Sequence, residues 1–161
     1  MPDKDVKRRL PVVQPPAEPA EEPRPAWHWV GFGAVAIFIV WLPLAYLAES
    51  LGRRLTAGTL GPAGDAHFSD LSRSERLAVL ARLALPQAVA LVLAAMAGGF
   101  LVTRFGQKTT SRDAAFAGLT VGALALGLTF SQAGFSLAGF VVPLVATGAA
   151  AAGGMLGRRR R

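Results

Sequence analysis

Few side chains in this sequence could carry out chemistry. The chain has 2 histidines and no cysteine, which excludes disulfides, iron–sulfur clusters and thiolate metal sites. His28 stands between Trp27 and Trp29, where a histidine could bind a ligand or carry a proton. However, no second histidine lies near it in the sequence, and aromatic residues of this kind favour a membrane–water interface. We therefore expect an interfacial histidine, and the sequence predicts no catalytic residue, no metal site and no cofactor.

A basic segment after residue 103 comes nearest to a phosphate-binding loop. It contains Gly106, Lys108 and Thr109 in that order. A phosphate-binding loop has the pattern G-x-x-x-x-G-K-[ST] and follows a strand. Here only one glycine precedes the lysine, and no strand is predicted before it. Nucleotide binding is therefore not expected.

Four long stretches without a charged residue cover most of the chain. They are residues 29–48, 83–103, 114–130 and 137–157. A helix needs about 20 apolar residues to cross a bilayer, and each stretch reaches or approaches that length. The sequence thus predicts an all-α membrane protein with four transmembrane helices (spans one to four) arranged as two hairpins.

The absence of ionisable residues from the four spans argues against several classes of membrane protein. Ionisable groups inside the membrane mark ion pathways and proton relays. Their absence argues against proton-coupled antiporters, small multidrug transporters with a membrane carboxylate, and intramembrane metalloproteases. The polar groups left are Gln87, Thr120, Thr129 and Thr147. Threonine hydroxyls in helices commonly donate to the backbone of their own helix, so these residues do not indicate a catalytic site. No enzyme is therefore expected.

Basic residues are distributed unevenly around the spans. Of the 17 lysines and arginines, 12 lie in the N-terminal segment, the loop between spans two and three, and the C-terminal end, while 5 lie between spans one and two. The positive-inside rule then places both termini in the cytoplasm, and we expect a bacterial inner membrane. The net charge of +7 is interpreted as an orientation signal, not as a sign of nucleic-acid binding. The residues expected to set topology and contact lipid headgroups are Arg104, Lys108, Arg112, Arg158, Arg159, Arg160 and Arg161.

Three segments outside the spans are expected to be irregular. Residues 1–28 are rich in proline and carry acidic residues, which predicts a disordered cytoplasmic tail. The extracytoplasmic loop 49–82 contains several glycines and a proline within 52–71, which predicts irregular structure there. A turn at 131–134 is expected to join spans three and four. Residues 158–161 form a basic cytoplasmic end.

Two local patterns predict structure near the outer ends of spans one and two. Ser72 and Glu75 have the spacing of a capping box, so a helix should begin near Arg73 and continue outward from span two. Glu49 and Arg53 stand four residues apart, and we expect them to form an ion pair.

Small residues recur at helical spacing and are typical of helix packing. Gly118 and Gly122 form a G-x-x-x-G pattern in span three, which lets helix backbones approach closely. A Gly-Gly pair also ends span two and span four, which suggests a parallel repeat of two hairpins, with chance recurrence as the alternative. We expect spans two and four to approach most closely at these pairs, unless the glycines only end the helices. The paired residues are Gly98, Gly99, Gly153 and Gly154.

One motif resembles that of small uncharacterised bacterial four-helix integral membrane proteins. In those proteins a G-G-aromatic-apolar-x-x-Arg segment closes the second helix before a basic loop. Here it is formed by Gly98, Gly99, Phe100 and Arg104, and the next span opens with the sequence AAFAG. The resemblance covers about residues 83–130. It implies the four-helix architecture and no particular activity.

The leading functional hypothesis is a structural or accessory subunit that acts by helix packing. Its expected partners are the lipid bilayer, a second copy of the chain, or other membrane proteins. An oligomeric channel or small-solute permease is the alternative, because backbone, threonine and glycine can line a pore without charges. A holin-like lysis protein is the third hypothesis, suggested by the size of the chain and its basic C-terminal end.

Overall fold

The computed structural model describes residues 25–60, 68, 70–106, 108–133 and 137–159. No strand occurs among them, which confirms the all-α prediction. The helices are α1 (Ala26–Leu60), α2 (Arg73–Phe105), α3 (Ser111–Ala133) and α4 (Val141–Arg159), with a short 3-10 helix at Leu137–Phe140. Most of the predicted disordered tail, residues 1–24, lies outside the described residues, as do Arg160 and Arg161.

Three helices in the described part of the chain are long and apolar enough to cross a membrane. They are α1, α2 and α4. Their outward surfaces expose large apolar side chains such as Ile39, Leu93 and Leu144. A continuous apolar exterior of this kind is unfavourable in water and suits contact with lipid chains. These helices therefore support membrane association.

Helix α1 is longer than the sequence predicted. It has 35 residues, from Ala26 to Leu60. The prediction of a disordered tail was therefore wrong for residues 26–28, and the prediction of irregular structure was wrong for residues 52–60. Packing against α2 explains the difference. Gly52 lies against Leu83, and the Arg82 guanidinium donates a hydrogen bond to the Thr59 hydroxyl at 3.1 Å. These contacts between helices outweigh the low helix propensity of glycine.

The start of α2 and the neighbouring ion pair are as predicted. Ser72 is the N-cap of α2, and its side chain and that of Glu75 form the complete capping box. The helix then continues without a break from Arg73 to Phe105, so the segment before span two extends that helix instead of lying on a surface. On α1, Arg53 donates to the Glu49 carboxylate, which confirms the expected pair.

The connection between α2 and α3 is closed by threonine side chains. Thr109 donates its hydroxyl to the Val102 carbonyl at 2.8 Å, and the Gly106 N–H donates to the same carbonyl at 2.9 Å. Thr110 donates its N–H and hydroxyl to the Asp113 carboxylate at 2.7 and 3.0 Å. These bonds satisfy backbone groups that helix ends leave without intrahelical partners. The segment that came nearest to a phosphate-binding loop thus contains helix-end caps.

The boundary between α3 and α4 differs from the prediction. Helix α3 continues through Ala133, so a turn at 131–134 was wrong for residues 131–133. Ser131 donates to the Leu128 carbonyl of its own helix at 2.8 Å. Helix α4 begins at Val141, after the 3-10 helix, and Pro143 is in its first turn. Proline is tolerated there because first-turn N–H groups have no intrahelical acceptor.

The direction of each helix follows from its contacts. Ile37 of α1 lies against Gly98 of α2, whereas Gly52 lies against Leu83, so α1 and α2 run in opposite directions. The most extensive packing joins α1 to α2, α2 to α4 and α3 to α4. Helices α2 and α4 are therefore the centre of the bundle, and α1 and α3 pack on them.

The capping box predicts a pH-dependent start of α2. Hydrogen bonds from the Ser72 hydroxyl and then the Ser72 N–H lower the pKa of the Glu75 carboxyl. Because the pKa is lower in the folded state, the cap contributes its full stabilisation at pH values above the ordinary pKa of a glutamate. This stabilisation is lost as the pH falls through the lowered pKa. Titration of the Glu75 carboxyl by NMR in detergent micelles should show this low pKa, and Ser72→Ala should raise it.

Ser74→Ala is the matched control, because the Ser74 hydroxyl contacts Ser72 at 3.1 Å and makes no bond to Glu75. A pKa of Glu75 that Ser72→Ala leaves unchanged would contradict this account of the cap.

Candidate functional site

The backbones of α2 and α4 touch at two glycines. A methyl group on Gly99 would overlap the carbonyl oxygen of Ala150, and one on Gly153 would overlap the carbonyl oxygen of Met96. All three small residues of this contact, Gly99, Gly153 and Ala150, are buried. We call the contact formed by Met96, Gly99, Ala150 and Gly153 the glycine interface. Only a residue without a side chain fits at either glycine, because backbone atoms cannot move aside as a flexible side chain can.

The other glycine of each pair packs on a different helix. Gly98 lies against Ile37 and the Gly33 carbonyl of α1, not against α4. A methyl group on Gly154 would lie 2.8 Å from the Ala114 Cβ of α3. Of the four glycines predicted at the closest approach of α2 and α4, Gly99 and Gly153 form that contact, whereas Gly98 faces α1 and Gly154 faces mainly α3. Adjacent residues differ by about 100° around a helix, so one pair reaches two neighbours.

The different contacts of the two glycines in each pair also bear on the predicted parallel repeat. In α2 the first glycine packs on α1 and the second on α4, whereas in α4 the first packs on α2 and the second on α3. A parallel repeat in the register of the two pairs would give Gly98 and Gly153 equivalent contacts. Gly98 contacts the helix that precedes its own in the chain, and Gly153 does not. The contacts therefore differ from those of such a repeat.

The G-x-x-x-G pattern of α3 lies against α4. A methyl group on Gly118 would lie 2.7 Å from the Ala150 Cβ, and one on Gly122 would overlap Pro143. Ala150 thus contacts glycines of both α2 and α3. Because Gly118 pairs with the later part of α4 and Gly122 with its first turn, α3 and α4 run in opposite directions.

Thr103 is a contact residue that the sequence analysis missed. Its buried hydroxyl donates to the Gly154 carbonyl of α4 at 2.9 Å and also lies 3.3 Å from the Gly99 carbonyl of its own helix. A methyl group on Gly157 would overlap this hydroxyl. The spacing of Gly99 and Thr103, four residues apart on one helix face, is the signal that could have identified it.

The other polar groups of the four predicted spans divide into two kinds. Thr120 donates to the Phe116 carbonyl at 2.9 Å and Thr147 to the Pro143 carbonyl at 2.6 Å, which confirms bonding to their own helices. The side chain of Thr129 lies outside the described part of the structure. Gln87 instead joins two helices, because its amide donates to the Ala45 carbonyl of α1 at 3.3 Å.

The basic residues beside the glycine interface lie at one end of the bundle. Helices α2 and α4 run parallel here, since Gly153 faces Met96 and Gly157 faces Phe100 one turn later. Their C-terminal ends and the start of α3 therefore lie together. Five cations are exposed at this end, Arg104, Lys108, Arg112, Arg158 and Arg159. Such a cluster can attract anionic lipid headgroups.

No protein-family model, curated protein or solved structure matches this chain. Among the described residues, no group of three or more His, Cys, Asp or Glu could hold a metal ion. The arrangement at the candidate site is thus one of helix association and surface charge.

The glycine interface predicts unequal effects of two identical substitutions in α4. Gly153→Ala places a methyl group against the Met96 backbone, whereas Gly148 has no atom within 4 Å of such a methyl group. Overpacking of this kind typically costs about 1–3 kcal/mol of folding free energy. Gly153→Ala should destabilise the protein by that amount, and Gly148→Ala should change its stability little. Unfolding by SDS titration, followed by circular dichroism, measures both.

Gly99→Ala tests the same contact from α2 and should resemble Gly153→Ala. If Gly148→Ala and Gly153→Ala are equally mild, the glycines act as helix ends and the close contact is refuted.

Proposed function

We propose that the chain is an integral protein of the bacterial inner membrane in which all four helices cross the bilayer as two hairpins, α1 with α2 and α3 with α4. The antiparallel contacts within each pair support this arrangement. Helix α3 contains the uncharged segment 114–130, and its glycines lie against α4. A helix packed in this way on a membrane-spanning partner is best accommodated inside the membrane with it.

In this proposal both termini are cytoplasmic. The five exposed cations at one end of the bundle support that orientation, together with the 12 of 17 lysines and arginines on the same side of the spans. Each cation near an anionic surface contributes on the order of 1 kcal/mol to membrane attachment. The cluster at the end of α4 would then hold the second hairpin in place.

The proposed role is that of a structural or accessory subunit that acts through helix packing. The glycine interface carries this proposal. Direct backbone contact at Gly99 and Gly153 leaves no room for a water-filled path between α2 and α4 in one copy of the chain. A subunit whose helices are locked together is suited to binding neighbours through its outer surface, instead of conducting solutes through its centre.

The outer face of α1 is the surface that we assign to a partner helix. Phe32, Val35, Ile39, Leu42 and Tyr46 are all exposed and alternate at spacings of three and four residues. This spacing places them on one side of the helix, as in the seam between two packed helices. The partner is a membrane helix of another protein or of a second copy.

The proposed orientation predicts the result of fusions at Arg161. A periplasmic phosphatase fused there should be inactive, because its disulfides do not form in the cytoplasm, whereas a fluorescent protein should fold and fluoresce. A phosphatase inserted between Leu60 and Arg73 should be active. Reversed activities would overturn the orientation and with it the proposed role of the terminal arginines.

The proposed role predicts that shortening a side chain on the outer face of α1 weakens binding of the partner. Leu42→Ala should reduce the yield of a co-purified or cross-linked partner about tenfold, because the shortened side chain loses its dispersion contacts with the partner helix and leaves a gap in the packing. Leu144→Ala on α4 is the matched control, since Leu42 and Leu144 are 61% and 72% exposed. Quantitative mass spectrometry of the complex from native membranes measures the yield.

The same protein reconstituted in potassium-loaded vesicles should show no leak above that of empty vesicles. Rapid leakage, without a partner sensitive to Leu42→Ala, would replace the accessory role by an oligomeric channel.

A further inference from the structure

A long apolar groove of about 590 Å³ lies between α1 and α2. Along α2 it runs from Ala81 to Leu93. Its floor is formed by the small, buried side chains of Ala48 and Ala90, and its edges by larger side chains that are about half exposed or more. The groove includes no residue of the glycine interface or of the outer α1 face that we assign to a partner helix. The edge residues are Leu47, Leu51, Leu85 and Val89.

The groove has the length of one leaflet of a bilayer. Leu93 comes 11 residues after Arg82, which is about 16 Å along the helix axis, and half of the hydrocarbon core is about 15 Å thick. Arg82 is the last charged residue before the uncharged segment 83–103. When α2 crosses the membrane, Arg82 therefore lies at the level of the lipid headgroups and Leu93 lies near the midplane. The groove begins and ends where a lipid chain of that leaflet does.

Arg82 provides a positive charge at the headgroup end of the groove. The groove wall is almost entirely apolar, so Arg82 lines it with the carbon stem of its side chain. The guanidinium reaches α1, where it donates to the Thr59 hydroxyl at 3.1 Å. Thr59 comes one turn after Leu55, the last α1 residue in the groove wall, so the charge is held just beyond the apolar part. A guanidinium has five N–H donors, and this bond uses one of them.

We propose that the groove binds one acyl chain of a phospholipid whose phosphate accepts hydrogen bonds from Arg82. An extended chain of single bonds advances about 1.2 Å per bond, so a groove of this length accommodates about 14 carbons. Guanidinium and phosphate are matched in charge and geometry. The inference depends on α1 and α2 crossing the membrane, as proposed above, and is independent of the accessory role.

The volume of the groove favours a lipid chain over a partner helix as its occupant. A helix about 10 Å wide and 16 Å long occupies about 1,250 Å³, which is twice the volume of the groove. An acyl chain is about 4 Å wide, the contact distance of carbon atoms, and can lie on the alanine floor between the two edges.

Photolabelling with a phosphatidylglycerol that carries a diazirine on one acyl chain tests the proposal in the full chain. The protein in non-ionic detergent is titrated with this lipid, and labelled residues are mapped by mass spectrometry. Labelling of groove residues should saturate, whereas labelling of the exposed Leu144 should rise in proportion to the lipid. Unlabelled phosphatidylglycerol should compete about tenfold better than a diacylglycerol with the same chains, because that ratio corresponds to one net hydrogen bond to a charged group.

Four variants separate the charge of Arg82 from its contact with α1. Arg82→Gln should remove the advantage of phosphatidylglycerol over diacylglycerol, and Arg82→Lys should retain part of it. Thr59→Val breaks the same bond between the helices but keeps the charge, so the advantage should remain. Arg54→Gln is the matched control, because Arg54 is also exposed but does not line the groove.

A larger side chain tests the groove itself. Val89→Phe should fill the groove and abolish the saturable labelling. Val35→Phe is the matched control, since Val89 and Val35 are 49% and 57% exposed and only Val89 lines the groove. Circular dichroism in the same detergent shows that each variant is folded before it is labelled.

The proposal is overturned if diacylglycerol competes as well as phosphatidylglycerol, if Arg82→Gln and Arg54→Gln act alike, or if Val89→Phe and Val35→Phe act alike. It is also overturned if a photoreactive side chain at Leu85 cross-links to a protein instead of to lipid in native membranes, which would assign the groove to a partner helix. A chain that resists extraction from membranes by alkaline carbonate but shows no saturable labelling keeps its membrane placement and loses only the groove site. Extraction by carbonate would refute the membrane placement and the groove site together.

Discussion

Contact between the backbones of α2 and α4 determines how the rest of this bundle is arranged. Lipid chains are as apolar as leucine, so burying apolar side chains provides little force between helices in a bilayer. Association then depends on dispersion contacts and hydrogen bonds, which grow as the backbones approach. Gly99 and Gly153 permit that approach, and Gly98 and Gly154 use the same segments to hold α1 and α3. One short region of each central helix therefore contacts two neighbours, and the two regions together join all four helices.

The buried polar groups of the bundle form hydrogen bonds inside this apolar environment. No described buried side-chain nitrogen or oxygen lacks a hydrogen-bond partner. Threonine hydroxyls achieve this mostly within their own helices, and Thr103 adds a bond to Gly154 across the central contact. Gln87 adds another bond between helices, from its amide N–H to the Ala45 carbonyl.

The sequence predicted the helical class and the start of α2 because these depend on local chemistry. An uncharged stretch of about 20 residues and a capping box each act through residues close together in the chain. It failed for residues 52–60, where contact with Leu83 decides the structure, and for Gly98, whose neighbour is set by the rotation of α2 about its axis. Helical spacing indicated that glycines would pack but not on which helix. Thr103 was missed because its partner, Gly154, is distant in sequence.

Helices α1 and α2 are longer than a bilayer crossing requires. At 35 and 33 residues they are about 50 Å long, while the hydrocarbon core is about 30 Å thick. Their mutual contact continues at Gly52 and Thr59, so the two helices stay packed together over a length greater than that thickness. Adding one residue between Leu55 and Thr59 would turn Thr59 by about 100° around the helix axis and shift it by about 1.5 Å, which would separate its hydroxyl from the Arg82 guanidinium and disconnect the ends of the two helices.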